Sequence, residues 1–152
     1  MAGFTNKGKY RIAGAVFRAE TLPTSFYVAL CTSATAPTAD TNTFSQLTEI
    51  TAGAGYVTGG TALSKNSTDF DLWSEDDSAD LGKVQIRDVT WTASGDTIPS
   101  AGDGARYAVL TDANATVGDR EVWIYWDLSS DRVVSDGQDL SLADLEFRFQ
   151  ES

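Results

Sequence analysis

Ala105–Ala113 (ARYAVLTDA), Glu121–Val134 (EVWIYWDLSSDRVV) and Leu145–Phe149 (LEFRF) decide the fold. Each is rich in β-branched and aromatic residues. Asp, Gly, Ser and Asn separate them, which is the pattern of short strands joined by polar turns. Ala105–Ala113 is apolar on both parities, through Tyr107 and Val109 and through Ala108 and Leu110. That predicts a central strand covered on both faces. In Glu121–Leu128, Val122, Ile124 and Trp126 share one parity and are expected inside. Trp123 and Tyr125 take the other parity and read as a surface aromatic patch or subunit contact. Ser129–Asp131 reads as a tight turn into Arg132–Val134. Leu145, Phe147 and Phe149 alternate with Glu146 and Arg148.

Working outward, Phe26–Thr32 (FYVALCT) is a strand with two apolar faces, so Cys31 is a small buried hydrophobe. Val84–Ala93 changes parity: Val84 and Ile86 share one face, while Val89, Trp91 and Ala93 follow the other. A β-bulge near Arg87–Asp88 would reconcile them. Asn6–Ala19 (NKGKYRIAGAVFRA) is the good helix candidate, with Thr5 or Asn6 as its cap and Pro23 near its end. Ile12, Ala13, Val16 and Phe17 share a helix face expected to pack on the body. Ser33–Thr43 reads as an extended loop and Phe44–Ile50 as a helical turn or covering segment. Roughly six or seven strands with turns every eight to twelve residues predict a mainly β protein. The expected fold is an antiparallel β-sandwich, jelly-roll-like, with one short N-terminal helix. Residues 1–20 read as a basic helical arm and residues 21–152 as a single β-sandwich domain.

Composition narrows the function. The chain has no histidine, one cysteine and a net charge of −11. Ser/His/Asp and Cys/His catalysis and a Cys/His zinc site are excluded, as is an internal disulfide. An acidic balance argues against a nucleic-acid binder, and no apolar run is long enough for a membrane helix. Ile12–Phe17 is too short for a signal peptide, so synthesis in the cytoplasm is expected. The first 20 residues run against the acidic trend: Lys7, Lys9, Arg11 and Arg18 face the single acid Glu20. These four cations are the candidates for docking on an acidic partner surface. Gly53, Gly55, Gly59 and Gly60 match neither nucleotide-loop spacing and read as turns. Asp69–Asp80 (DFDLWSEDDSAD) lacks the EF-hand order and reads as a solvated acidic loop tethered by Phe70, Leu72 and Trp73. Asp76, Asp77 and Asp80 are the residues that would meet a cation there. No cofactor is expected.

The chain resembles a family of small tailed-bacteriophage structural proteins, labelled tail-fibre-like or head-decoration proteins. The likeness rests on Phe26–Thr32 soon after the helix, Gly53–Val57 (GAGYV), Ala105–Ala113, and the closing stretch Tyr125–Phe149 (YWDLSSDRVVSDGQDLSLADLEFRF). The acidic loop and the aromatic Phe147 and Phe149 depart from the pattern. The resemblance implies a non-enzymatic virion protein made in a bacterial host cytoplasm, placed on the capsid surface as decoration or cement. It would bind the major capsid protein and itself, with a homotrimer suited to threefold sites. The alternatives are a tail or tail-fibre component and a carbohydrate-binding module that uses exposed tryptophans.

Overall fold

A computed structural model describes residues 2–150. The elements are β1 (Ala2–Phe4), α1 (Asn6–Arg18), β2 (Ser25–Cys31), β3 (Thr61–Ser64), β4 (Leu72–Asp76) and β5 (Leu81–Ile86). They continue as β6 (Val89–Thr92), β7 (Ala105–Asp112), β8 (Val122–Arg132), β9 (Asp139–Leu142) and β10 (Leu145–Gln150). Every strand pairing is antiparallel. One sheet has the order β1-β8-β7-β2-β3, a second β10-β5-β4, and a third pairs β6 with β9. The protein is mainly β with one N-terminal helix, in a sandwich-like arrangement.

The main core lies between the five-stranded sheet and the two smaller ones. Phe26, Val28 and Leu30 of β2, with Ala108 and Leu110 of β7 and Ile124 and Trp126 of β8, form one side. Ile86, Val89, Trp91, Leu140, Leu142, Leu145 and Phe147 form the other. The outer face of the large sheet is covered too. Ala29, Cys31, Val109 and Val122 pack there under Phe44 and Leu47. Apolar residues on both parities of β2 and β7 are thus explained, and β7 is the central strand of its sheet. Cys31 is fully buried, and burial pushes its thiol pKa up.

Four local readings need correction. The first concerns β8. Leu110 pairs with Ile124 but Thr111 pairs with Val122, so Trp123 is an extra residue in the ladder. The bulge puts Val122 on the outer face and turns Trp123 inward, against the simple alternation. Second, Ser129–Asp131 is no turn. The segment swings out of register between the Tyr107–Asp127 and Ala105–Arg132 pairs without ending the strand. Third, Arg87–Asp88 is not a bulge within one strand. It is the crossing where the chain leaves β5 for the β6–β9 sheet, which lets Ile86 and Val89 enter one core despite their parities. Fourth, Asp69–Asp80 is largely ordered as β4 and its turn into β5 rather than as a loop.

Candidate functional site

Thr5 starts α1. Its hydroxyl accepts from the Gly8 amide at 2.9 Å and donates to the Val122 carbonyl, and its own amide donates to the Trp123 carbonyl at 3.0 Å. One residue thus caps the helix and fastens it to β8. Gly8 lets the helix lie directly on that strand: a Cβ there would overlap the Trp123 carbonyl oxygen, with the carbonyl carbon and Cα each 2.9 Å away. The helix ends at Ala19, a left-handed residue with φ of 53°, ahead of Pro23. Since Ala2–Phe4 pairs with Ile124–Trp126, residues 2–18 are held on the body by a ladder, a cap and a helix seat.

The seat orients the helix opposite to expectation. Its buried residues are Gly8 and Gly14, with Ile12 reaching the core edge. Val16 is 68% exposed and Phe17 80%. The apolar face therefore looks outward, because the close approach through Gly8 turns the small side of the helix toward β8.

The four cations divide into two pairs. Arg11 donates from Nε and Nη2 to the two carboxylate oxygens of Glu121, both at 2.7 Å, and from Nη1 to Glu20 at 3.3 Å. Lys7 lies 3.6 Å from Glu121. The Arg11 hydrogen bonds hold the Glu121 carboxyl below its ordinary range, against the opposing effect of burial. These two cations are thus spent inside the molecule. Lys9 and Arg18 are exposed and form no ion pair among the described residues.

Of the predicted contact pair, Trp123 is a core residue, 4% exposed and 5.1 Å centroid to centroid from Phe26. Tyr125 is half-buried on the outer face, against the backbone of Gly3. They do not form a surface patch. The exposed tryptophan is instead Trp73 on β4, at 88%, which tethers nothing. Phe70 does reach the core, edge-on to Phe26 at 5.9 Å.

Asp76, Asp77 and Asp80 do not assemble a cation site, and no group of three or more acidic or thiol ligands is placed for a metal among the described residues. Asp76 is used locally: its carboxylate accepts from the Ser78 hydroxyl at 2.7 Å and from the Ser78 and Ala79 amides.

The glycine-flanked segment is tied down by a polar network. Glu49 accepts from the Tyr56 hydroxyl at 2.8 Å and from the Gly59 amide at 2.6 Å, while the Leu30 amide donates to the Tyr56 oxygen at 3.0 Å. Burial raises the Glu49 pKa, and those donors and Arg120 oppose it. Arg120 lies 3.8 Å above the Tyr27 ring and donates to the Gly59 carbonyl at 2.9 Å. Gly59 and Gly60 turn at φ of 85° and 75°. The network is internally satisfied and holds the loop to β2.

What remains exposed and chemically distinctive is the helix surface with its neighbouring hairpin. One groove of ≈ 310 Å³ runs along Lys9, Ile12, Val16 and Phe17 to Phe149. A second, of ≈ 570 Å³, is bounded by Glu75, Asp76, Asp77, Asp80 and the same Phe149. No reading of the sequence joined these residues, which lie far apart in the chain. In comparisons with known proteins, no family model, no curated protein and no solved structure matches this chain.

Proposed function

We propose that this chain is a non-enzymatic structural protein of a phage virion, a capsid decoration protein that binds the major capsid protein and stiffens the shell. The observation that carries the reading is the rigidly seated helix. It offers Lys9, Arg18, Val16 and Phe17 to solvent in a chain whose overall charge is −11. Such a surface suits contact with an acidic, partly apolar protein face. The sequence resemblance supplies the virion setting. Weak contacts repeated over many copies add through multivalency, and binding only the assembled shell stabilises it by mass action. Copies would associate in a closed ring, a trimer on threefold sites.

The test is the copy number of this chain relative to the major coat protein in purified particles, by quantitative mass spectrometry. A ratio near that of the coat protein supports the decoration reading. A handful of copies per particle moves the chain to the tail. Absence from particles overturns the virion reading.

A further inference from the structure

We propose that the groove between α1 and the outer edge of β10 receives one extended segment of a partner protein, added to β10 as a further strand. This rests on the contact reading above only for the partner being a protein.

The main chain makes the first case. β10 pairs with β5 and ends its sheet. The Glu146 carbonyl accepts from Trp126 Nε1 at 2.9 Å, and Trp126 belongs to the other sheet, so this carbonyl points away from β5. In an antiparallel ladder a residue's N–H and C=O leave on one side, and residues two apart share that side. The Arg148 amide and carbonyl therefore point outward as well. Neither has a hydrogen-bond partner among the described residues. Of the described strands that end a sheet, β10 is the longest, six residues in unbroken register with β5.

The groove beside this edge, ≈ 310 Å³, supplies the side-chain contacts. Phe4 leads into α1 and packs on Phe149 with centroids at 5.0 Å, so the helix stands on the Phe149 face of β10. Its wall is Ile12, Val16 and Phe17, with Lys9 beside them. Side chains of a strand alternate between faces, so every second residue of an added strand would meet this apolar wall. The helix leaves room for a lone segment and not for the covered edge of a second sheet.

Charge narrows the segment further. Among the described residues, the charged ones that line the groove are Lys9 and Arg148. Arg148 is held by Glu146, whereas Lys9 forms no ion pair among the described residues. An acidic residue at one of the positions facing the helix would meet Lys9. The segment is therefore extended, apolar at alternate positions and acidic at one of them. A net charge of −11 favours basic peptides in general, so a preference for the acid belongs to this groove.

Two end-blocked peptides test this on the full chain by backbone amide NMR at about 150 mM salt. One alternates Val with Ser and has Glu in place of the central Val; the other has Lys there. The acidic peptide is expected to bind with a Kd below about 1 mM and to slow hydrogen exchange at the Arg148 amide about tenfold at saturation. The lysine peptide should bind at least about fivefold more weakly, and Lys9→Glu should reverse that order. Arg148→Pro deletes an N–H that the β5 ladder does not use, so the variant should keep its melt and lose the peptide. Arg148→Ala keeps the N–H and should bind within about threefold of the wild type. An Arg148 amide already protected in the free protein, or an Arg148→Pro variant that unfolds, overturns the open edge. No binding of the acidic peptide at about 5 mM, or equal binding of both peptides, overturns the segment. A chain that binds the peptide but is absent from particles keeps the groove and loses the virion reading; an abundant particle protein that binds neither peptide does the opposite.

Discussion

Two glycines of one helix should answer the same substitution with opposite signs. On propensity alone, Gly→Ala in a helix interior gains about 1 kcal/mol. At Gly14 the new Cβ meets the Glu20 side chain, with Cδ and Oε2 at 2.8 Å. That carboxylate is the end of a flexible side chain and can swing away. It gives up a 3.3 Å contact with Arg11, a part-exposed pair worth about 0.5 kcal/mol. Gly14→Ala should therefore be neutral or stabilising by about 0.5 kcal/mol. At Gly8 the obstacle is the β8 backbone at Trp123, which is held by the Thr5 amide. The helix must lift or the strand must bend, and overpacking of this kind costs about 1–3 kcal/mol. Net of propensity, Gly8→Ala should lose up to about 2 kcal/mol. Urea unfolding followed by tryptophan fluorescence reads the difference as a shift in midpoint at constant slope. A Gly8→Ala variant as stable as Gly14→Ala would refute the seating of α1 on β8.

Three further outcomes are expected. Trp123→Ala should cost about 3–5 kcal/mol by emptying a core site, whereas Trp73→Ala should stay within about 0.5 kcal/mol; denaturant midpoints of the two variants separate a core from an exposed tryptophan. The Glu121 pKa is depressed in the fold, so the stability it contributes is present above its unfolded value near 4.5 and lost as pH falls through the lower folded value. Glu121→Gln should flatten that acid limb and cost about 0.5–1 kcal/mol at neutral pH, read from melts across pH. Glu49 has the opposite sign: its pKa is raised by burial, so its penalty sets in as pH rises through the window above 4.5. Glu49→Gln keeps an acceptor for Tyr56 and Gly59 and should gain on the wild type over that window.

The β class, the helix and the central place of β7 were legible because each rests on local pattern; the cap was narrowed to Thr5 or Asn6, and Thr5 takes it. Periodicity of two and short polar turns identify strands whatever they pair with. Trp123 was misplaced because alternation is a rule for unbroken ladders, and one extra residue in β8 reverses it. The outward apolar face of α1 was missed for a related reason. A hydrophobic stripe is the usual buried side of a helix, but here Gly8 allows a closer approach to β8 and takes that side. Splitting the cations into spent and free pairs needed Glu121, more than a hundred residues from Lys7 and Arg11. The two grooves beside Phe149 were illegible for the same cause: one is lined by Lys9, Ile12, Val16 and Phe17, the other by Glu75, Asp77 and Asp80, and β10 borders both.

The uneven match between β1 and β8 has a colloidal consequence. Among the described residues β1 covers Ile124–Trp126, while β8 runs on to Arg132. A long bare edge of backbone amides and carbonyls invites strand addition and fibre growth. Here the uncovered part begins at Asp127, which holds Arg106 at 2.8 Å, passes through Ser129 at φ of 69°, and swings out of register before Arg132. Charge and broken register together spoil the template where it would otherwise be exposed. At high concentration this edge of the fold is thereby shielded from polymerising through its backbone.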